Sequence, residues 1–600
     1  MTRRYTQPAP MNGLAGLSYP VVPPPAPVPT SPRGRLRRHA LALAIVAATG
    51  GLVLMPQTSL AAQCARADSD GGKTVRFDRP AGVGPGTRYR YPDPSGEFDS
   101  KDHNRVEVGN CYVPIGSTAV TTADAITVDV NVTDLYGNGN QSVGGTNPRD
   151  VFVGSIDLRE RTVTDPNARN VITIKGINRY GNIFGPGGVA PTTLNLEGMR
   201  IDGLYVVSAS DDDVIRNGDI INIREGADIR TYVYAGGGND TLNLEGGYAR
   251  EVYGDNRNGF DAATLEDPAN SFNDVFNIRD GTYIGVNGDS GSDRSGYAAG
   301  NDVFNLHGGT ITTLEGDGGN DTFNFLGPIT VRDAFGDAGD DLFVLESSVD
   351  PTLLWNIAGD DGSDYPATGN GGDRIQIKGL VLRASSDRNT RPDANQNNVT
   401  SIRAMNVVEL LDGTQLTMYD NAEGSDAMSS FRLGRPTGDP EDDKLLIDAT
   451  SALIHLGKYT QGSTESSRDA SINYNVQNLG TIDLGQDAPG TRMTIRGNYI
   501  GGGRLLMSTY LGDDSSESDV LILLGNASGS TVLDIKPVAG SPGGQTVEGI
   551  TLVDIDPTKA IAADAFVLAA PITTENGLWQ YRLARNATTQ DFVLTSGVAP

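Results

Sequence analysis

The chain has 600 residues, with 76 glycines, an aromatic content of 6% and a formal net charge of −28. A single hydrophobic core stops growing near ~250–300 residues, so one compact core is excluded and several domains or a solenoid are required. So large an acid excess excludes nucleic acid as a general partner and favours divalent cations, while many glycines with few aromatics indicate turn-rich, all-β material. In chain order the first element is a leader. Arg33, Arg35, Arg37 and Arg38 precede an apolar run from Ala40 to Met55, followed by Pro56 and Ser59-Leu60-Ala61-Ala62. A basic stretch, an apolar stretch and a small-residue site predict a secretory signal over residues 1–62, cleaved at Ala61 or Ala62. The apolar run is shorter than the ~20 residues a spanning helix needs.

Residues 63–150 hold both cysteines, Cys64 and Cys111. In an oxidising compartment a disulfide between them is the expected reading, against two free thiols, and it would tie down an N-terminal cap.

From residue 151 a phrase recurs. It reads Asn239-Asp240-Thr241-Leu242-Asn243-Leu244, then Asn273-Asp274-Val275-Phe276-Asn277-Ile278, Asn301-Asp302-Val303-Phe304-Asn305-Leu306 and Asn320-Asp321-Thr322-Phe323-Asn324-Phe325, with a weaker copy at Asp340 to Leu345. Apolar and polar residues alternate, as in a strand with one buried face. A second phrase marks a turn: Gly254-Asp255, Gly288-Asp289, Gly316-Asp317, Gly336-Asp337 and Gly359-Asp360. The stretch from Asp240, Asp274 or Asp302 to the next turn glycine is constant, whereas the stretch from turn glycine to aspartate varies. One coil of ~19 residues therefore repeats, with loops let out at one corner. This predicts an all-β fold, a right-handed parallel β-helix over residues 151–474, its core including Leu242, Phe276, Phe304, Phe323 and Phe343. Loop closure costs grow slowly with length, so loops 256–273, 290–300 and 361–372 are the candidate recognition surface.

Three candidate chemistries compete with the repeat as explanations of particular segments. Gly288-Asp289-Ser290-Gly291-Ser292 has the form of a serine-protease nucleophile segment, yet Gly288-Asp289 is simply one copy of the turn phrase. His103 is the histidine upstream of it in the mature chain, and it lacks the context of a triad. The acids Asp211 to Asp213 and Asp360-Asp361 have the look of lyase or glycosidase carboxylates, but neighbours on a strand point to opposite faces. The runs at Ala235 to Thr241, Gly316 to Thr322 and Gly336 to Leu342 resemble the glycine-rich nonapeptide of RTX proteins, whose stacked turns bind calcium. Asp321 and Asp341, on uninterrupted neighbouring coils, are the calcium ligands that this resemblance implies, although the phrase comes once per coil rather than once per nine residues.

From Leu479 the texture changes to Leu479-Gly480-Thr481-Ile482-Asp483-Leu484, Met493 to Tyr499, Ser516 to Leu521, Gly525 to Thr531, Gly549 to Val553 and Trp579 to Leu583. Residues 475–600 closely resemble the C-terminal passenger region of pertactin-like autotransporters, the type V secretion family. The resemblance implies a β-helical passenger, an autochaperone-like folding nucleus in this region, and an outer-membrane translocation barrel as partner. It also implies passage through the periplasm to the outer membrane, cell surface or medium. A linker helix and barrel are expected to begin where the chain stops at Pro600. The expectation is therefore a truncated product or fragment, or a translocator encoded separately. The function expected is a non-enzymatic adhesin or self-association module meeting ligands on host or neighbouring cells. The alternatives are an exported β-helical polysaccharide hydrolase or lyase and a calcium-stabilised surface protein.

Overall fold

The computed structural model of the chain describes residues 169–600 except 177–178, 181–182, 185–189, 202–204, 208–217, 256–271, 290–299, 360–371, 386–398, 419–430, 434–442, 456–458, 462–463, 467–468 and 486–487. Upstream of residue 169 it places the backbone of short strands such as Ala125–Val130. The leader with Ala61 and Ala62, Cys64 and the side chain of Cys111 lie outside the described residues, as do most of the three corner loops. Nearly everything described is strand, apart from turns and one 3-10 segment, Pro351–Leu353.

The strands form a parallel β-helix. One stack runs through Asn170–Gly176, Thr192–Glu197 and Ile220–Ile223 into the first parts of Thr241–Asp255 and Val275–Asn287, each paired in parallel with the next. It continues through Val303–Leu306, Thr322–Phe325, Leu342–Leu345, Arg374–Lys378, Val407–Leu411 and Lys444–Ile447. The register answers the repeated phrase residue for residue, with Phe276 opposite Phe304, Phe304 opposite Phe323 and Phe323 opposite Phe343. These four phenylalanines and Leu242, Leu244, Ile278, Leu306, Phe325 and Leu345 are all fully buried on one inward face. Their rings stack at 4.6, 4.8 and 4.5 Å between centroids, which is the spacing of neighbouring strands in a sheet.

A second stack, built from Thr310–Glu315, Thr330–Phe335 and Leu354–Ala358, closes the coil opposite the first. Its inward residues Leu314, Ala334 and Ile357 complete the core. In this middle region the third side of each coil is the Gly-Asp turn, where Gly318 bridges Ala338 of the next coil.

In the C-terminal third the turn side becomes a sheet of its own. Phe431–Leu433, Asp469–Ile472, Arg492–Ile495, Val520–Leu523 and Ile550–Ile555 pair in parallel. The first stack carries straight into this region, since Lys444–Ile447 pairs with Asn475–Asn478 and that strand with Tyr499–Gly501. Ile550–Ile555 then pairs antiparallel with Phe592–Val598, itself paired antiparallel with Trp579–Arg585. This hairpin covers one face's open edge, the kind of unpaired strand that otherwise recruits other chains.

Candidate functional site at the turn corner

The period that buries Phe323 and Phe325 also turns Asp321 inward, because all three share the same parity along the strand. From Asp219 to Asp373 the aspartate before the strand is buried in each coil, and it serves as a clamp. The N–H of Asp219 donates to Asp240 Oδ1 at 2.8 Å, and that of Asp240 to Asp274 Oδ1 at 2.7 Å. The series continues from Asp274 to Asp302 at 2.6 Å, Asp302 to Asp321 at 2.7 Å, Asp321 to Asp341 at 2.8 Å and Asp341 to Asp373 at 3.1 Å. Each downstream carboxylate thus satisfies a backbone donor of the coil before it.

The residue just ahead does the opposite. The N–H of Asn273 donates to Asn239 Oδ1 at 3.0 Å, that of Asn301 to Asn273 Oδ1 at 2.7 Å, and that of Asn320 to Asn301 Oδ1 at 2.6 Å. Asp340 takes the asparagine place and accepts from Gly372 at 2.6 Å. A third ladder runs along the outward face of the first stack, where the side-chain amides of Asn222, Asn243, Asn277, Asn305 and Asn324 each donate to the amide oxygen one coil upstream.

Burial is the largest cause acting on the acids of this corner. It raises the Asp255, Asp274 and Asp302 carboxyls well above the usual carboxylate range, with neighbouring aspartates adding to the shift. Asp289 is pushed up to about 6, less far because backbone N–H groups of Gly300 and Gly318 and the Asp255 carboxyl offset its burial. Asp321 is pushed up to about 10 by burial and by Asp302.

The expected ligands Asp321 and Asp341 therefore stand in the same ladder, each with Oδ1 occupied by a backbone N–H. Among the described residues no three Asp, Glu, His or Cys side chains converge as a metal cage. Asp289, met in the protease-like segment, is buried in the corner, while Ser290, His103, Asp211 to Asp213, Asp360 and Asp361 lie outside the described residues. Sequence reasoning missed Asp255 and Asp289 as members of the buried set, treating them as turn residues. The signal was present: an acid follows the turn glycine at 255, 289, 317 and 337, where a turn alone would accept several residues.

The C-terminal coils are held by buried polar hubs. Asp519 accepts the N–H groups of Gly490, Thr491 and Ser508 at 3.0, 2.9 and 2.6 Å. The Tyr581 hydroxyl donates to the Gly512 carbonyl at 2.6 Å and accepts from the Gly544 N–H at 3.0 Å. Asp514 gathers the N–H groups of Val547, Glu548 and Gly549.

The Autochaperone Domain Type 1 family matches residues 464–583, the stretch that contains these hubs. The chain is 29% identical to Uncharacterized protein YuaQ of Escherichia coli K12 over 201 residues, covering 31% of this chain and 14% of that protein. It is 30% identical to Probable autotransporter YfaL of the same organism over 186 residues, 30% of this chain and 14% of that protein. Over 79 residues it is 40% identical to Adhesin BmaC autotransporter of Brucella suis biovar 1, covering 13% of this chain and 2% of that protein. The chain thus matches at most 14% of the length of these three relatives.

Proposed function

We propose that this autotransporter passenger works as a non-enzymatic adhesin or self-association module at the cell surface or in the medium. Its leader would take it across the inner membrane, and a translocation barrel, its own or a separate one, across the outer membrane. The corner loops 256–273, 290–300 and 361–372 would meet ligands on host or neighbouring cells. The observation that carries the reading is the continuity of the autochaperone region with the middle coils through the pairing of Lys444–Ile447 with Asn475–Asn478. A solenoid presents stacked loops rather than a single cleft, and one relative is named an adhesin. The division into leader 1–62, cap 63–150 with a Cys64–Cys111 bridge, coils 151–474 and folding region 475–600 belongs to the same proposal.

The test is to place the chain ahead of a translocating barrel in a non-adherent bacterium. External protease and antibody access report surface display, and cell binding and settling report adhesion. Chain held inside the cell would refute the passenger route. Displayed chain that adds neither binding nor settling over the barrel alone would refute the adhesin role.

A further inference from the structure

The column of buried residues ahead of the first-stack strands runs on past Asp341. In register after it stand Asp373, Asn406, Asp443 and then Tyr474, each just ahead of a strand and each buried. The N–H of Asp341 donates to Asp373 Oδ1 at 3.1 Å, and the side-chain amide of Asn406 donates to Asp443 Oδ1 at 3.1 Å. Tyr474 thus takes an aspartate's place in the column, within the autochaperone match over residues 464–583.

A tyrosine reaches further than an aspartate. The Tyr474 hydroxyl donates to the Met405 carbonyl at 2.6 Å, 69 positions away in sequence, and the strand Lys444–Ile447 lies between the two coils so joined. Met405 follows Ala404, an alanine at a φ of 54°; that left-handed conformation is costly without glycine and persists where its neighbours fix it. The N–H groups of Asn406 and Val407 fix it from one side, both donating to the Asp373 carbonyl at 2.9 Å. The next coil of the folding region closes tightly on Tyr474, since a Cβ on Gly497 would lie 2.4 Å from the Tyr474 carbonyl oxygen. Downstream of Phe343 the inward residues of the first stack are aliphatic, namely Ile375, Ile377, Val408, Leu410, Leu445 and Ile447. Aliphatic packing tolerates rearrangement, whereas a buried hydroxyl must find its acceptor.

We infer that Tyr474 is a positioning residue, which carries the order of the autochaperone region across one coil to the Met405 turn and so sets the corner on which the middle coils stack. The inference rests on the reading of residues 475–600 as the folding region. It does not depend on the adhesin role.

The experiment is refolding of the full chain from denaturant with pulsed hydrogen exchange. Protection is read separately in the upstream strands Leu342–Leu345 and Val407–Leu411 and in the downstream strands Arg492–Ile495 and Val520–Leu523. Tyr474→Phe keeps the ring and takes the hydroxyl from the Met405 carbonyl. Protection of the upstream strands then appears about 5- to 30-fold more slowly, while the downstream strands keep their rate and unfolding is little changed. Tyr283→Phe, which takes a buried hydroxyl from the Gly246 and Asp280 carbonyls, leaves refolding of the upstream strands unaltered. A merely structural contact at Tyr474 would speed unfolding and leave refolding alone, and that result overturns the inference. If Tyr474→Phe does not fold, native-state exchange of the unaltered chain decides. Residues 405–411 and 472–478 opening together with one free energy supports the inference, and separate openings overturn it. Upstream strands that become protected without residues 479–596 overturn the folding reading itself. Strands that need those residues yet refold normally in Tyr474→Phe overturn the role of Tyr474 alone.

Discussion

The rings of Phe304 and Phe323 lie face to face on adjacent coils, 4.8 Å between centroids and 2° from parallel. Phe323 has a second such partner in Phe343 at 4.5 Å, so it is the shared member of two stacked pairs. Phe323→Ala removes a fully buried ring whose neighbours are fixed by backbone pairing, and it should cost about 3–5 kcal/mol locally. Because a solenoid couples only neighbouring repeats, hydrogen exchange should accelerate in Val303–Leu306, Thr322–Phe325 and Leu342–Leu345 and remain slow near Tyr499. Uniform acceleration along the chain would contradict nearest-neighbour coupling.

Gly316→Ala tests the closeness of the corner. The new methyl would meet Asp321 Oδ2 and the Gly336 carbonyl, which are a buried carboxylate and fixed backbone. A loss of about 1–3 kcal/mol is expected from overpacking, read as a lower unfolding midpoint. The same substitution at Gly540, where an added methyl has no atom within 4 Å, disturbs no packing and costs only what its φ of 75° demands.

Asp519 sets a pH dependence in the folding region. Burial pushes its carboxyl up to about 6 despite three backbone donors. A folded-state value above the unfolded one means the contribution is fully present below the unfolded value of ~4 and is lost as pH rises through about 6. Stability of the C-terminal coils should therefore decline between pH ~4 and ~6. Asp519→Asn should flatten that slope while lowering stability throughout, since an amide cannot accept from Ser508 and from Gly490 and Thr491 in the same way. Pulse proteolysis across that window, followed at sites in residues 490–520, reads both effects.

If residues 479–596 form the folding nucleus, their removal should leave the coils from Asp240 to Leu345 protease-sensitive. A truncation up to Gly188 should retain a resistant C-terminal core. The physical basis is that a short coil buries little area until an ordered neighbour supplies a strand edge. A resistant middle fragment made without residues 479–596 would show that no template is needed.

The repeated phrase made the middle coils legible because period-two alternation assigns both register and facing at once: Asn320, Thr322 and Asn324 face outward, and Phe323 and Phe325 inward. The same parity buries Asp321, and what hides this in the sequence is that Asn-Asp pairs usually mark exposed turns. The third sheet from Phe431 onward was not legible, since strands such as Asp469–Ile472 and Arg492–Ile495 are four residues long and carry no repeated phrase. Asp255, Asp289 and Asp302, which act on one another's carboxyls, stand 34 and 13 positions apart, and their proximity follows from coil stacking rather than from local spacing.

Adjacent positions in the turn clamp neighbouring coils in opposite senses: Asp321 Oδ1 takes an N–H from the coil before it, and Asn320 lends its own N–H to that coil. The upstream edge of each of these middle coils therefore displays an acceptor beside a donor in fixed order. A strand arriving one residue out of step would set donor against donor and acceptor against acceptor, as well as swapping its apolar set outward. The corner acts as a reading frame, checked afresh at each coil. Loops beside the frame can lengthen while it is kept, whereas a single residue added between Asn320 and Asp321 would part the two contacts that this coil makes with the one before it and leave the other coils to their own neighbours.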